Sequence, residues 1–322
     1  VVQVRDGRTG EVIREAAPAA ITDRRRRDPV GANWVHQRLL IANFRGLDRP
    51  RDFLVKMGDT YVALNDDLEV LWTYRTNWIE YASCPAYIPA VGDLDGDGRD
   101  EVNGGYFALD AQGQPLWERK LAQHMDSVCI APWDGGAIRA ICSGGGHVLD
   151  ARGNVILALG ERLVPHGQEV RVADFLADYP GADMVIRWNG HSEELIVASS
   201  AAGGVVKRLR VNSSPTNVGM EAVLWNGPDQ PALLYNGGML WDVGAGRGLV
   251  LPGLPPPNGR AVHRMAFYHC IAADLCGDER EELLLWDPSA ADLYIFTPGS
   301  LDESAYRGYV AGPRQYNPRL MD

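Results

Sequence analysis

Short runs of apolar residues, each ending in an aromatic residue or leucine before a polar turn, recur six times along this chain of 322 residues. Successive runs end 39–50 residues apart, which is the length of one four-stranded unit in known repeat proteins. Each run is short and bounded by turn residues, so it predicts the first β-strand of a repeated unit. The six runs are Leu40–Phe44, Ala90–Leu94, Cys129–Trp133, Arg171–Phe175, Glu221–Trp225 and Ile271–Leu275.

A second short strand and a closing hairpin follow within these units. Residues 106–118 form an apolar run, a polar turn at Ala111–Gln114, and a returning run at Pro115–Glu118. Residues 61–73 and 147–158 repeat this pattern, which is typical of β-hairpins. Clear helical periodicity is absent. The chain is therefore predicted to be all-β, a single β-propeller domain over residues 1–322 with six to seven four-stranded blades.

The two ends of the chain differ from the middle. Residues 1–16 look like the two outer strands of a blade, and the unit beginning at Ile271 has no clear return strand after Phe296. Either the termini join to close one blade, or an N-terminal piece of a seventh blade is absent. Because Val1 is neither a start methionine nor part of a signal peptide, we expect a mature or trimmed product. Seven blades with an incomplete first blade are favoured.

Composition and charge narrow the class of protein. Hydrophobic residues make up 46% and charged residues 23%, which is typical of a globular protein, and no run of about 18 apolar residues is present to span a membrane. The net charge of −11 leaves no basic surplus for phosphates, so no nucleic acid is expected as a partner. The basic run Arg24–Arg27 is predicted to be a solvated loop. The five cysteines lack C-x-x-C spacing, so they form at most two disulfides, and buried free thiols are the alternative.

Carboxylates are concentrated in one turn, residues 93–101, between two predicted strands. Their spacing lets several oxygens surround one hard cation, and the two glycines permit the tight turn. Carboxylates this close repel one another unless they are neutralised. Calcium is therefore the predicted cofactor, bound by the side chains of Asp93, Asp95, Asp97 and Glu101 and by the carbonyl of Arg99. A degenerate copy at residues 274–282 has Cys276 at the third ligand position, and its metal binding stays open.

Histidines occupy equivalent positions in two of the repeated units. When the first strands are aligned at their last residues, His124 and His166 coincide, just upstream of strands that line a propeller's central channel. Two histidines there are candidates for proton transfer, and a hydrogen-bonded structural role is the alternative for each. The residues expected to bind substrate at this level are His36, Arg38, Glu169, Asn189, Tyr268 and His269.

Several segments carry a resemblance to known propellers. The calcium-type loop within a repeat of this length resembles the FG-GAP propellers. The segments His124–Val128 and His166–Val170 resemble the His-x-Asp-Ala/Ser openings of rhamnogalacturonan lyases. Other parts of the same lyases are similar to three later segments, Cys276–Glu282, Asp292–Pro298 and Gly312–Asn317. The same segments are similar to propeller lyases that release rhamnose from glucuronate and to ulvan lyases. This chain is shorter than typical rhamnogalacturonan lyases.

The resemblance implies a polysaccharide lyase that cleaves a rhamnose- and uronate-containing glycan by β-elimination. Such an enzyme needs a base, an acid and a positive group that neutralises the uronate carboxylate. His124 and His166 are the candidates for base and acid, and Arg187 is the candidate neutraliser, with an ordinary ion pair as its alternative role. The expected partner is an acidic polysaccharide or oligosaccharide. The competing hypothesis is a non-catalytic propeller that binds carbohydrate or protein. Calcium favours an extracytoplasmic location, whereas the odd cysteine count favours the opposite.

Overall fold

The computed structural model describes residues 1–27, 37–76, 88–122, 124–211, 219–255, 269–286 and 292–299. These residues form seven antiparallel sheets, with a single α-helix among them, α1 (Ala19–Arg27). The basic run Arg24–Arg27, predicted to be a loop, therefore lies in a helix, which the sequence did not indicate because its apolar residues have no helical periodicity. No helix in the described ranges is long and apolar enough to cross a membrane.

The strands follow one another in chain order within each sheet. The N-terminal hairpin contains β1 (Val2–Arg5) and β2 (Val12–Ala16). Blade 1 contains β3 (Gln37–Ala42), β4 (Asp52–Met57), β5 (Thr60–Leu64) and β6 (Val70–Arg75). Blade 2 contains β7 (Ala90–Gly92), β8 (Glu101–Asn103), β9 (Phe107–Leu109) and β10 (Pro115–Glu118). Blade 3 contains β11 (Val128–Pro132), β12 (Ile138–Cys142), β13 (His147–Leu149) and β14 (Val155–Ala158).

The remaining sheets continue this order. Blade 4 contains β15 (Glu169–Ala173), β16 (Asp183–Arg187), β17 (Glu194–Ser199) and β18 (Gly204–Arg210). Blade 5 contains β19 (Glu221–Val223), β20 (Leu233–Asn236), β21 (Met239–Asp242) and β22 (Arg247–Val250). Blade 6 contains β23 (His269–Ala273), β24 (Glu282–Trp286) and β25 (Leu293–Phe296).

The first strands of successive blades contact one another, β3 with β7 and so on through β23. This arrangement, with each sheet extending outward from its first strand, is a β-propeller. All six repeated runs found in the sequence include residues of these first strands, which confirms the predicted fold class. The N-terminal hairpin is the incomplete unit that the sequence predicted, and it contacts blade 1, where Val2 packs against the apolar cluster that β4 and β5 contribute to.

The core lies between neighbouring blades and continues into their outer turns. Tyr61 of blade 1 packs edge-on against Phe107 of blade 2, with ring centroids 5.4 Å apart. Further out, Trp72 of β6 lies against the hairpin turn of blade 2 and donates its indole N–H to the Ala111 carbonyl at 2.9 Å. A Cβ on Gly113 in that turn would lie 2.6 Å from the Trp72 ring, so the close packing requires glycine.

A buried carboxylate opens the second strand of four blades. Each accepts a backbone N–H from the turn that follows the first strand, and Glu101 for example accepts from Leu94 at 2.8 Å. The turn therefore has an internal partner for its backbone donors, which a buried loop needs. The four residues are Asp52, Glu101, Asp183 and Glu282, all at most 1% exposed.

In two blades, the residue just before the buried carboxylate of the second strand bonds to the preceding blade. The Asp100 backbone N–H donates to the Asn43 carbonyl at 3.2 Å, and its side chain accepts the Asn43 N–H at 2.6 Å. Glu281 repeats both bonds with Leu224, at 3.1 and 2.7 Å. Asn43 and Leu224 occupy the same position after the first strand, so the pattern is a repeated clasp between blades.

The cysteines outside residues 77–87 are free thiols. Cys129, Cys142, Cys270 and Cys276 form no disulfide, which matches the alternative that the sequence left open. Burial raises the pKa of Cys129 to about 12 and also raises that of Cys142. Both thiols are therefore unreactive packing groups. Cys84 lies outside the described residues.

Candidate active site

Two segments that each precede a first strand bring three polar side chains together. His124 and Asp126 lie just before β11 of blade 3, and His166 lies just before β15 of blade 4. The sequence placed both histidines at this level from the repeat, and the structure brings them into contact, with ring centroids 3.7 Å apart. The interplanar angle is 37°.

Asp126 joins the two rings. Its Oδ1 lies 3.0 Å from His124 Nδ1, and its Oδ2 lies 3.1 Å from His166 Nε2. The Asp126 side chain is 3% exposed, His124 is 12% exposed and His166 is 32% exposed. A buried carboxylate that contacts both imidazoles fixes which ring nitrogen faces inward and which remains for other partners. His166 is the ring that solvent and a ligand reach most easily.

Asp126 was not among the catalytic residues predicted from the sequence. The signal was the His-x-Asp spacing at residues 124–126, which places both side chains in one short segment. That spacing could not reveal that the partner of Asp126 is a histidine 40 residues away in the next blade.

The backbone around His166 is held on both sides. Its N–H donates to the Trp188 carbonyl at 3.2 Å, and its carbonyl accepts the Gly190 N–H at 2.8 Å. These bonds form a parallel bridge between His166 and Asn189. The structure therefore places Asn189, a predicted substrate-binding residue, directly beside the candidate active site.

Arg187 and Glu169 form a buried ion pair, at a separation of 3.1 Å between Nε and Oε2. Both side chains are fully buried. Arg187 also donates to the Ser192 carbonyl and to Asn236 of blade 5, and Glu169 accepts the Gly219 and Met220 N–H groups. Burial lowers the pKa of Arg187, and the Glu169 carboxylate opposes that shift. In this arrangement neither side chain is available to a ligand. Arg187 therefore has the ion-pair role that the sequence left as its alternative, and Glu169, predicted to bind substrate, is the other member of that pair.

Four predicted binding residues have no described side chain. His36 and Tyr268 lie outside the described residues. Arg38 is a strand residue of β3 paired with Lys56, and His269 is a strand residue of β23 paired with Trp286. Their roles stay predictions.

The cluster of His124, Asp126 and His166 has the composition of a metal site. One ligand atom from each residue lies within 4.8 Å of the others. Two imidazoles and a carboxylate are common ligands of zinc and related divalent metals. The arrangement can therefore transfer protons or hold a cation.

The predicted calcium loop lies at the opposite end of the first strands. Asp93, Asp95 and Glu101 present oxygens within 4.8 Å of one another. The side chains of the loop also hold its backbone, since Asp97 accepts the Arg99 N–H at 2.7 Å. Burial raises the pKa of Glu101 to about 8, and the charges of Asp95 and Asp97 add to the shift. Three acidic groups converge here as a hard cation requires, whereas the side chain of Asp97 lies outside that set.

The degenerate copy at residues 274–282 has a different internal partner. Asp278 pairs with the guanidinium of Arg280 within the same loop. Cys276 has a pKa raised to about 11, by burial first and by the neighbouring acidic groups. Among the residues that the structure describes, this loop does not form a metal-type cluster.

Comparison with known proteins shows that the fold of this chain is similar to that of several solved structures. No family model matches the chain, and no curated protein matches it. Among solved structures, rhamnogalacturonan lyase YesW has a TM-score of 0.65 at 21% identity, over 92% of this chain and 51% of that one. A Bacillus licheniformis rhamnogalacturonan lyase (PL11) has a TM-score of 0.63 at 21% identity, over 92% and 51%. The exotype rhamnogalacturonan lyase YesX has a TM-score of 0.61 at 20% identity, over 92% and 52%.

This chain therefore spans about half the length of the lyases that it resembles. At this level of identity the likeness supports the β-propeller fold, and it leaves the chemistry to be argued from the site.

Proposed function

We propose that this chain is a polysaccharide lyase that cleaves a rhamnose- and uronate-containing glycan by β-elimination. The observation that carries the proposal is the buried Asp126 between two imidazoles, in a fold shared with rhamnogalacturonan lyases. A carboxylate that orients a partly exposed histidine is a common arrangement for a general base.

His166 is the proposed base. With Nε2 directed at Asp126, its Nδ1 is the nitrogen that remains to remove the proton alpha to the uronate carboxyl group. The electrons of that C–H bond form the new carbon–carbon double bond, and the leaving oxygen takes the electrons of the broken C–O bond with a proton. His124 contacts the other carboxylate oxygen of Asp126. It is the proposed acid that gives the leaving oxygen of the glycan its proton.

The positive group that neutralises the substrate carboxylate is not Arg187 in the observed arrangement, because that side chain is buried and bonded to protein groups. A divalent cation held by His124, Asp126 and His166 would supply that charge. In that case the two histidines are ligands and the base is another group. The metal-type cluster thus supports a second mechanism for the same reaction, and a chelator distinguishes the two.

The test is the ultraviolet absorbance of an unsaturated uronate while the protein is incubated with rhamnogalacturonan, gum arabic and ulvan. Activity should fall roughly 10²–10⁴-fold in His166→Ala, the range for loss of a general base. The matched control is His191→Ala, an exposed histidine of the same blade, which should keep wild-type activity.

Addition of a chelator separates the mechanisms. Loss of activity that Asp95→Asn does not reproduce would support the metal-bound form of the site. A flat trace on all three glycans from folded protein would overturn the lyase proposal and favour the carbohydrate-binding propeller, in which His166→Ala weakens glycan binding.

Calcium at residues 93–101 is a separate part of the proposal. The convergence of Asp93, Asp95 and Glu101 supports it. The pKa of Glu101 is raised by burial first, and the charges of Asp95 and Asp97 add to that shift, which a bound cation would oppose. Its role is structural, because the loop adjoins the clasp from Asp100 to blade 1. We expect calcium to raise the melting temperature of the wild type and to have no effect on Asp95→Asn.

The control for the calcium experiment is Asp110→Asn. Asp110 lies in another turn of the same blade and likewise accepts backbone N–H groups, from Gln112 and Gln114. This variant should respond to calcium as the wild type does. An equal response of Asp95→Asn would contradict the site.

A further inference from the structure

We infer that Ser143 is a positioning residue for the candidate active site, an inference that rests on the proposed function. Ser143 follows β12 of blade 3 and is fully buried. Its hydroxyl donates to the Gly167 carbonyl at 2.6 Å and accepts the Ser127 N–H at 3.1 Å. The same hydroxyl therefore bonds to both segments that carry the active-site side chains.

The two partners of Ser143 adjoin the site in sequence. Ser127 follows Asp126, and Gly167 follows His166. The backbone of Ser143 adds a third bond, since its N–H donates to the Ser127 carbonyl at 2.9 Å. Because Asp126 and His166 come from different blades, their separation of 3.1 Å depends on how closely the two segments approach.

Glycines make that approach possible. A Cβ on Gly167 would lie 2.0 Å from the Ser143 carbonyl oxygen. A Cβ on Gly144 would lie 2.2 Å from the His124 carbonyl oxygen. Both obstacles are backbone atoms, so a side chain at either position would force the segments apart. Gly144 and Gly167 thus allow the close packing of these segments beside the site.

A second hydroxyl supports the same junction more weakly. Ser127 Oγ accepts the Val170 N–H at 3.3 Å, which joins blade 3 to the first strand of blade 4. Removal of the Ser143 hydroxyl would leave the Gly167 carbonyl and the Ser127 N–H to find other partners at a buried site. The expected consequence is a small displacement of His166 relative to Asp126.

The test is Ser143→Ala, examined by NMR with histidine-selective labelling. The chain has 7 histidines, so the imidazole signals of His124 and His166 can be assigned by substitution. Those two sets of signals should shift in Ser143→Ala, and the signal of His269, in β23 of blade 6, should not. The control is Ser199→Ala, which removes another fully buried hydroxyl, in β17 of blade 4. It should leave the signals of His124 and His166 in place.

Kinetics provide the second readout. A displacement of about 1 Å in a reacting group can cost roughly 10²-fold in rate. We therefore expect kcat of Ser143→Ala to fall about 10–100-fold with little change in KM, while Ser199→Ala keeps wild-type kcat. If Ser143→Ala does not fold, Ser127→Ala takes its place, with smaller shifts of the same signals expected.

The two readouts separate this inference from the proposed function. Shifted His124 and His166 signals in a protein that cleaves none of the glycans would sustain the positioning role and reject the lyase. Unshifted signals, or equal shifts in Ser199→Ala, would overturn the positioning role even if the wild type is an active lyase.

Discussion

Replacement of Arg187 by methionine tests whether this side chain supports the fold or binds substrate. Arg187 and Glu169 are both fully buried, and the variant leaves the Glu169 carboxylate in the core without its cation. Removal of one partner of a buried ion pair typically destabilises a protein by about 3–5 kcal/mol. The Gly219 and Met220 N–H groups still bond to Glu169, which favours the lower part of that range.

The expected size in a melting experiment follows from the length of the chain. An unfolding entropy of roughly 2.1 cal/mol/K per residue corresponds to about 0.7 kcal/mol/K for this protein. The melting temperature of Arg187→Met should therefore fall by about 4–7 °C, measured by circular dichroism. The double variant Arg187→Met/Glu169→Gln should recover part of the loss, because neither member of the former ion pair then carries a charge.

The kinetic measurement decides the role. If Arg187 stabilises only the fold, the folded Arg187→Met protein keeps, below the new melting temperature, the wild-type KM for any glycan that the wild type cleaves. A melting temperature within about 1 °C of the wild type, together with a large rise in KM, would refute the ion-pair reasoning and restore Arg187 as the carboxylate-binding residue.

Two further perturbations test features of the propeller. Burial raises the pKa of Asp183 to about 6, and hydrogen bonds from the Phe175 and Leu176 N–H groups oppose that shift. Between about pH 4 and 6 the folded protein therefore keeps a proton on Asp183 that the unfolded chain releases. The free energy of unfolding of the wild type should therefore fall as the pH rises through that window. In denaturant titrations, the free energy of unfolding of Asp183→Asn should rise relative to that of the wild type by up to about 3 kcal/mol between pH 4 and 7. Asp6→Asn should lose stability relative to the wild type as the pH rises, because the N–H groups of Thr9 and Arg8 hold the pKa of Asp6 low. The same pH dependence in both variants would contradict these directions of the two pKa shifts. Gly113→Ala should lower the melting temperature more than Gly203→Ala, since both glycines have positive φ but only a Cβ at Gly113 meets a ring, that of Trp72; similar losses would mean that backbone strain alone decides.

The sequence predicted the strands well because a blade repeats one pattern. Each first strand is a short apolar run followed by a turn, and alignment of those runs placed His124 and His166 at one level of the channel. The helix at residues 19–27 was missed because it has no apolar stripe, and its α-helical form cannot be read from periodicity.

The environment of Arg187 could not be predicted for a different reason. All five residues of β16 are buried, so the second strand of the blade has no solvent-facing side and no alternation that separates core from channel. A charged residue in such a strand can face a ligand or a buried partner with the same sequence pattern. Only the position of Glu169 on the neighbouring strand, across the ladder from Arg187, resolves the ambiguity.

The two acidic loops share one spacing of carboxylates but differ in the contacts that those carboxylates make. The last two residues of each loop, Asp100 and Glu101 or Glu281 and Glu282, make the same bonds to the preceding blade and to the loop backbone. These bonds need no cation, so two of the five acidic residues in each loop follow from the propeller architecture itself. What differs is the middle of the loop, where Asp95 is replaced by Cys276 and where Arg280 pairs with Asp278. The acidic residue at the third position therefore distinguishes the loop whose carboxylates converge from the loop whose carboxylates do not, although both loops are rich in acidic residues.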